Sequence, residues 1–322
     1  MMTITAIQTK VNEAIKSLKY PEKPAELYHP IAYILEDGGK RLRPTLLLLA
    51  YNLYSEDIDK ALKPALGLEI FHNFTLLHDD IMDKADTRRN RPTVHKKWND
   101  NVAILSGDAM MIHAFQYFYE LPNDILKPVL EVFTQTALEV CEGQQYDMNF
   151  ETQEQVTIEE YMEMIRLKTA VLIAAALKLG GIIGHAPQQD IELLYEAGLK
   201  LGLAFQLQDD YLDVYGDTSV FGKNIGGDIM AKKKTFLLLT AFEKANDHQR
   251  NQLKYYFEAN LSRQEKVNAI TLLYNEIGVP IITKQKVEKL TVEALSLINQ
   301  LSVKEKTTQI TNLITKLIDR NK

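Results

Sequence analysis

The sequence predicts an all-α protein, and three observations support that fold class. Glycine and proline number only 15 and 10 in 322 residues, about 8% of the chain where average usage is roughly 12%. Leucine, alanine, isoleucine, lysine and glutamate are abundant, a composition typical of helices. Hydrophobic residues make up 46% of the chain, enough to bury a sizeable core. We therefore expect helices throughout.

Apolar residues that recur at helical spacing place the individual elements. In chain order they predict helices at 4–18, 26–36, 44–54, 59–83, 101–119, 125–146, 157–182, 188–215, 231–245, 247–258, 262–274, 280–299 and 303–319. Turn-forming and polar residues predict loops between them, notably GGKRLRP at 38–44, DTRRNRPT at 86–93 and GDTSVFGKNIGGD at 216–228. No linker or change of composition interrupts the chain, so we expect one domain over residues 1–322.

Charge and cysteine content exclude several classes of protein. The formal net charge of −6 argues against a general nucleic-acid binder, which would show a basic excess. The single cysteine, Cys141, excludes an internal disulfide framework and fits a reducing cytosol. The N-terminal residues lack the apolar core of a signal peptide, and no window approaches 18 uninterrupted apolar residues, so we expect no spanning helix and a cytoplasmic location.

The segment LLHDDIMD, residues 76–83, places three aspartates at the end of an apolar predicted helix. A carboxylate is costly to bury unless it is paired or binds a metal. These aspartates, Asp79, Asp80 and Asp83, have the spacing D-D-x-x-D, and the same spacing recurs far downstream at Asp209, Asp210 and Asp213. On a helix the first and last aspartate of each set project from one face, with the middle one on the flank.

Two such sets of carboxylates are typical of a magnesium site. Oxygen ligands at this spacing suit Mg²⁺, which keeps several waters and is usually completed by substrate phosphates. The alternative is that each cluster is solvated or paired with lysines. A His-Asp pair, His78 and Asp79, also occurs in metal-dependent phosphohydrolases, but the downstream histidines lack ligand-like spacing.

Cationic residues near both aspartate sets indicate an anionic substrate. The arginine fork suits bidentate phosphate binding, and lysine acts more as a point charge. The cations occur in four short segments and comprise Lys40, Arg41 and Arg43, then Arg88, Arg89 and Arg91, then Lys168, and finally Lys223 with Lys232, Lys233 and Lys234. Each segment alone would more often be a solvated loop. His72 shares the face of Asp79 and Asp83, although a core histidine is equally compatible with its spacing.

The ordered set GGKRLRP, LLHDDIMDKADTRR, RLKTA, FQLQDDYLD and GKNIGGD resembles the motifs of the trans-isoprenyl diphosphate synthases, also called polyprenyl synthetases. The resemblance runs from about residue 28 to 240. It implies a homodimeric, all-α isoprenoid synthase bundle around a central cavity, with typically three Mg²⁺ ions bridging the two aspartate helices to an allylic diphosphate. It also implies a second substrate, isopentenyl diphosphate, and a short-chain product.

The resemblance implies a role for each matching residue. The six aspartates match the metal-binding motifs, and Asp79, Asp80, Asp83, Lys168, Asp209 and Lys223 are the residues expected to act in catalysis. The isopentenyl diphosphate site matches Lys40, Arg43, His72 and Arg89. The allylic diphosphate site matches Arg88, Lys168, Lys223 and Lys233, lined by Thr169 and Gln206. Two residues depart from the family pattern, Asn90 and Lys232, each standing where glycine is usual, so the loop geometry is expected to differ there.

Product length is expected to depend on the residues just before the first motif. In the family the fourth and fifth residues before it help form the floor of a tunnel, and here they are Thr75 and Phe74, with Phe71 one turn deeper. Helical geometry turns Thr75 toward Asp79 and Phe74 to the flank. An aromatic residue with a small neighbour favours a C15–C20 product, most simply geranylgeranyl diphosphate, although both phenylalanines are also compatible with ordinary core packing.

Three other functions remain open from the sequence. A longer-chain polyprenyl diphosphate synthase would share the motifs, but we would expect a small residue at position 74. A class I terpene cyclase also uses D-D-x-x-D, but its second motif usually mixes asparagine, serine or threonine and glutamate. A non-catalytic subunit of a heteromeric synthase commonly loses one aspartate motif, and both are intact here.

Overall fold

The computed structural model describes residues 2–36, 38–216 and 225–318, and within them the chain is almost entirely helical. The helices, in chain order, are α1 (Ile4–Lys16), α2 (Ala25–Glu36), α3 (Leu42–Tyr54), α4 (Asp59–Met82), α5 (Val94–Lys97), α6 (Asp100–Gln116), α7 (Asn123–Thr152), α8 (Ile158–Ile165), α9 (Val171–Ile183), α10 (Gln188–Tyr215), α11 (Gly227–Met230), α12 (Phe236–Lys244), α13 (Asp247–Glu258), α14 (Arg263–Ile277), α15 (Val279–Ile298) and α16 (Thr308–Ile318). A π-helical turn (Arg166–Ala170) joins α8 to α9, and a 3₁₀ turn (Lys304–Lys306) precedes α16.

The only strands among the described residues form one short hairpin, β1 (Thr87–Arg88) and β2 (Arg91–Pro92), which pair antiparallel. The all-α prediction is therefore confirmed. Several helices begin where a side chain caps the first turn: Thr157 and Ser262 each form a capping box with a glutamate three residues later. None of the described helices combines the length and the apolar character needed to cross a membrane.

The chain divides into two compact units. The first comprises the described residues of Met1–Gln135, Ala175–Tyr195 and Leu301–Ile310. Its core is built on α3, whose run Leu46–Leu49 is fully buried, and on the packing of α4 against α3 and α6. Close approach is possible because Gly180 has no side chain: a Cβ there would lie 2.2 Å from the Leu47 carbonyl oxygen.

The second unit comprises the described residues of Thr136–Ala174, Glu196–Gln300 and Thr311–Lys322. In this unit α10 packs against the end of the π turn and the start of α9 through two glycines. A Cβ on Gly198 would lie 2.4 Å from the Cα of Ala174, and one on Gly202 would lie 2.4 Å from the Cα of Ala170. These glycines allow α10, which carries the second aspartate set, to lie directly on the backbone beside Lys168.

Candidate active site

The first aspartate set lies at the C-terminal end of α4, in the first unit. Asp80 is the most buried of the three, at 3% exposure, and accepts a hydrogen bond of 2.8 Å from Arg88 Nε. Arg88 Nη2 also donates to Asp79 Oδ2 at 3.2 Å, whereas Asp83 is exposed as the C-cap of the helix. Burial raises the pKa of Asp80 above its usual value, against the opposing charge of Arg88.

Arg88 and Arg89 belong to the β1–β2 hairpin that follows this helix. Its two central residues, Arg89 and Asn90, both have left-handed backbone, with φ of 51° and 63°. A two-residue hairpin turn of type I′ requires positive φ at both central positions, and asparagine tolerates that conformation better than most residues. Asn90 therefore adopts a backbone conformation that glycine would also favour.

The residues matched to isopentenyl diphosphate come together at the start of α3. Arg43 Nη1 lies 2.9 Å from His72 Nε2, and a Cβ on Gly39 would lie 2.9 Å from Arg89 Nη2, so the missing side chain gives Arg89 access to this loop. The Lys40 carbonyl accepts a hydrogen bond of 3.0 Å from Gln8. Burial, followed by the charges of Arg43 and Arg89, holds the pKa of His72 well below its usual value, so the imidazole is neutral.

Arg41, counted with Lys40 and Arg43 in the sequence, differs from both. Its side chain is only 3% exposed and pairs with Glu69 at 2.9 Å. The guanidinium is thus neutralised inside the unit, and the anion-binding capacity of the GGKRLRP loop lies in the residues on either side of it.

The second aspartate set lies on α10, in the second unit. Asp210 is buried and accepts a short hydrogen bond from the Tyr161 hydroxyl and one of 3.0 Å from Gln206 Nε2. Burial, followed by the charge of Asp228, raises the pKa of Asp210 to about 7. Asp213 Oδ2 accepts a hydrogen bond of 2.9 Å from the Asp228 amide.

Two lysines matched to the allylic diphosphate share one carboxylate. Lys168 Nζ lies 2.6 Å from Asp147 Oδ2, and Lys233 Nζ lies 3.7 Å from the same atom. Burial tends to raise the pKa of Asp147, but the charges of Lys233 and Lys168 outweigh it and hold that pKa below its usual value. The neighbouring Lys234 instead donates to the carbonyl oxygens of Phe150 and Gln153 at the end of α7.

Lys168 is held by an unusual backbone. It lies in the π-helical turn, a feature often found at functional sites, and α7 contacts that turn through Gly143, where a Cβ would lie 2.2 Å from the Lys168 amide nitrogen. Thr169 donates to Gln206 Oε1 at 3.0 Å, which joins this turn to the hydrogen bonds around Asp210. Lys223, matched to the same diphosphate, lies outside the described residues.

Sequence reasoning missed Asp147 and Tyr161. A lone carboxylate four residues after Gly143 in α7, within the apparently unremarkable segment EGQQYDM, was the available signal for Asp147. No such signal marked Tyr161, because a tyrosine on an apolar helix face resembles an ordinary core residue until its hydrogen-bond partner is known.

The aromatic residues matched to the tunnel floor are buried in the first unit. Phe71 and Phe74 are 1% and 8% exposed, with ring centroids 5.5 Å apart, and Phe71 also packs on Phe133 at 5.1 Å. Thr75 is partly exposed and donates to the His72 carbonyl at 2.8 Å. His78 packs on the Phe74 ring at 4.8 Å, which gives it a packing role.

The carboxylates fit a hard cation by the chemistry of their oxygen donors. Within the ranges that the structure describes, there is no group of three or more histidine, cysteine, aspartate or glutamate side chains placed to hold a metal by themselves. Mg²⁺ takes oxygen ligands, keeps several waters and takes further ligands from substrate phosphates. Asp79 and Asp83 in the first unit, and Asp209 and Asp213 in the second, carry oxygen donors of that kind.

Comparison with known proteins agrees with this chemistry. The polyprenyl synthetase family matches residues 24–275 of the chain, and the chain therefore belongs to that family. Its fold is the all-α isoprenoid synthase fold, and it is a trans-prenyltransferase of the short-chain isoprenyl diphosphate synthase type.

Individual relatives are similar over most of their length. The geranylgeranyl diphosphate synthase of Methanosarcina mazei is 43% identical over 236 residues, covering 73% of each chain. A crystal structure of geranylgeranyl pyrophosphate synthase superposes with a TM-score of 0.95 at 43% identity and covers 100% of both chains. The synthase of Corynebacterium glutamicum, solved with isoprenyl diphosphate and magnesium, gives a TM-score of 0.84 at 27% identity and covers 98% of this chain and 97% of that one.

Proposed function

We propose that the protein condenses isopentenyl diphosphate with an allylic diphosphate (dimethylallyl, geranyl or farnesyl) and releases all-trans geranylgeranyl diphosphate. One observation carries this proposal: the described residues contain two separate basic groups, one in each unit. The first is Lys40, Arg43, His72 and Arg89, and the second is Lys168 and Lys233 around Asp147. A synthase of this kind binds two diphosphates, whereas a cyclase needs to bind one.

The first basic group binds isopentenyl diphosphate. Arg43 and Arg89 present guanidinium forks that suit two phosphate oxygens at a time. The neutral His72 adds a hydrogen-bonding ring nitrogen beside Arg43 without adding a third positive charge to the two arginines.

The second basic group, with Arg88, holds the diphosphate of the allylic substrate. Asp147 pairs with both Lys168 and Lys233 and holds their ammonium groups close together, and Arg88 pairs with Asp79 and Asp80. These carboxylates keep the cations in position for the phosphate oxygens of the substrate.

The aspartate motifs hold Mg²⁺, for which we propose three ions as in the family pattern. When bound, magnesium neutralises charge developing on the leaving diphosphate. The carboxylates Asp79, Asp83, Asp209 and Asp213 would hold it, while Asp80 and Asp210 are tied into hydrogen bonds with Arg88 and Tyr161 and orient their neighbours.

The condensation follows from charge stabilisation and proximity. The allylic C–O bond breaks with its electron pair on the diphosphate oxygen, which the lysine and arginine side chains stabilise. The double bond of isopentenyl diphosphate supplies the electron pair for the new carbon–carbon bond, and holding both substrates replaces a bimolecular encounter. A proton then leaves the adduct, accepted by the released diphosphate, and the product is five carbons longer.

A C20 product is supported by the buried aromatic pair below the first motif. Phe71 and Phe74 occupy the turn that precedes Thr75, and their rings limit how far an apolar tail can extend along α4. The Methanosarcina mazei relative and the geranylgeranyl pyrophosphate synthase structure, each 43% identical, have names that point to the same length.

We also propose a homodimer. Helix α6 exposes Leu105 and Ile112, each at 60%, and Ile104 at 42%, an apolar face of the kind that marks protein interfaces. Light scattering after gel filtration should give twice the chain mass. Leu105→Glu should shift the protein toward monomer, and an unchanged mass would exclude this face.

We place the protein in a reducing compartment, the cytoplasm. Its one cysteine, Cys141, is exposed and not disulfide-bonded, which suits a compartment where thiols remain reduced.

The assay incubates the protein with Mg²⁺, isopentenyl diphosphate and each allylic diphosphate in turn, and separates the products by chromatography. We expect geranylgeranyl diphosphate from all three starters. Arg43→Gln should raise KM for isopentenyl diphosphate, and Lys168→Gln should raise KM for the allylic substrate. Diphosphate release without an elongated product would overturn the synthase assignment in favour of a cyclase, and a dominant product beyond C20 would overturn the chain length.

A further inference from the structure

Arg41 is surrounded by three helices of the first unit. Its Nε donates to Asn12 Oδ1 in α1 at 3.1 Å, its Nη1 to Glu69 Oε1 in α4 at 2.9 Å, and its Nη2 to the Leu35 carbonyl in α2 at 2.6 Å. Each nitrogen of the guanidinium thus has a partner on a different helix.

The charge of Arg41 is neutralised by its surroundings. The Glu69 side chain is only 5% exposed, and Asn73 Nδ2 donates to it at 3.3 Å. Buried ion pairs are retained when their remaining hydrogen-bonding groups are also satisfied. Arg41 therefore has neither the exposure nor the free charge to bind a diphosphate, although it stands between two residues proposed to do so.

The backbone of Arg41 is fixed as well. Its φ and ψ are 46° and 41°, a left-handed conformation that residues with a Cβ disfavour and that persists only where the surroundings hold it. Its carbonyl accepts hydrogen bonds from the Thr45 amide at 3.1 Å and the Thr45 hydroxyl at 2.6 Å. Both the side chain and the carbonyl thus fix the point at which the loop enters α3.

We propose that Arg41 is a positioning residue for the isopentenyl diphosphate site. It does not touch the substrate. It holds the left-handed turn from which Lys40 and Arg43 depart on either side, and so sets the spacing of the two cations. This inference rests on the proposed function, because it takes that site to be the one containing Lys40 and Arg43.

Arginine is required here by geometry. The planar fork reaches three acceptors in three directions, whereas a lysine ammonium is a single point at the end of a flexible chain. Arg41→Lys keeps the charge opposite Glu69 but cannot reach Asn12 and Leu35 as well. Glu69→Gln is the complementary change, which keeps an acceptor oxygen and removes the negative charge.

Steady-state kinetics test the proposal. With the allylic substrate saturating, we expect Arg41→Lys and Glu69→Gln to raise KM for isopentenyl diphosphate by roughly tenfold or more. The kcat and the KM for the allylic diphosphate should stay within about twofold. A merely structural role would lower the fraction of active enzyme, which reduces kcat and leaves both KM values unchanged, and that result would refute the proposal.

Arg43→Gln, alone and combined with Arg41→Lys, separates the two assignments. If Arg41 acts through Arg43, the double variant should be less impaired than the product of the two single effects. An unchanged KM in Arg43→Gln would mean that the site itself is wrongly assigned. A raised KM in Arg43→Gln with none in Arg41→Lys would refute only the positioning role.

A milder variant covers the case in which Arg41→Lys fails to fold. Asn12→Ala removes one of the three hydrogen bonds and leaves the ion pair with Glu69 intact. It should raise KM for isopentenyl diphosphate by a smaller factor than Arg41→Lys and lower the melting temperature less, and an unchanged KM would count against the proposal.

Discussion

The hairpin that carries Arg89 depends on the backbone conformation of Asn90. With φ of 63° at Asn90 and 51° at Arg89, the turn has positive φ at both central positions, as a two-residue hairpin turn of type I′ requires. Three substitutions, Asn90→Gly, Asn90→Ala and Asn90→Val, change the cost of that conformation stepwise while leaving every charge in place.

The expected magnitude follows from backbone sterics. The left-handed conformation costs a residue with a Cβ about 1–2 kcal/mol, and glycine pays almost nothing. Valine lies at the upper end because its branched Cβ crowds the following carbonyl. A change of 1–2 kcal/mol lowers the ratio of competent to incompetent hairpin by roughly 5-fold to 30-fold, and apparent affinity falls by up to that factor.

The assay is KM for isopentenyl diphosphate at saturating allylic substrate. Asn90→Gly should stay within about twofold of the parent protein, and Asn90→Val should raise KM by up to roughly 30-fold, with Asn90→Ala between them. Equal KM values for the glycine and valine variants would refute the reasoning, because the two differ in left-handed preference and in no charged group.

Three further predictions concern other parts of the two units. Phe74→Ala should lengthen the products and lower the melting temperature through loss of about 3–5 kcal/mol of core packing; an unchanged product distribution would exclude Phe74 from length control. Asp147→Asn should raise KM for the allylic diphosphate and lower the free energy of unfolding near pH 7 by about 1–3 kcal/mol. Because the pKa of Asp147 is lowered in the folded protein, this stabilisation is present above the unfolded pKa of about 3.9. It is lost as the pH falls through the folded pKa, so the free energies of unfolding of the parent protein and of the Asp147→Asn variant should become equal in acid. Gly143→Ala should abolish activity and lower the melting temperature, since its Cβ would lie 2.2 Å from the Lys168 amide nitrogen, whereas Gly38→Ala, whose Cβ meets nothing within 4 Å, should not destabilise the protein.

The helices were predictable wherever periodicity was uninterrupted. The predicted helices at 188–215 and 247–258 coincide with α10 and α13, since apolar spacing and a capping residue such as Asn246 mark their ends. The predicted helix at 125–146 extends further, as Asn123–Thr152, because its polar C-terminal residues carry no stop signal. The predicted helix at 231–245 starts later, at Phe236.

The residues of the candidate site could be predicted from their type and spacing, but their hydrogen-bond and ion-pair partners could not. Spacing identified the six aspartates, but it could not show that Asp80 and Asp210 would be buried and hydrogen-bonded. A run of basic residues likewise does not indicate which of its side chains is bonded to groups inside the fold. Arg41 and Lys234 are both anchored within the fold, and only contacts between distant segments distinguish them from their neighbours in the chain.

The π-helical turn accommodates one extra residue in the segment that carries Lys168. On one side of it, Tyr161 is hydrogen-bonded to Asp210 of α10, and on the other side Ala174 lies against Gly198 of the same helix. Both anchors are on α10, so the segment between them must keep both facing that helix. A π turn takes up one residue more than an α-helical turn, so Arg166–Ala170 accommodates an extra residue without turning one anchor away from α10. We expect that deleting one residue there would leave both anchors facing α10 and would impair activity through the changed position of Lys168.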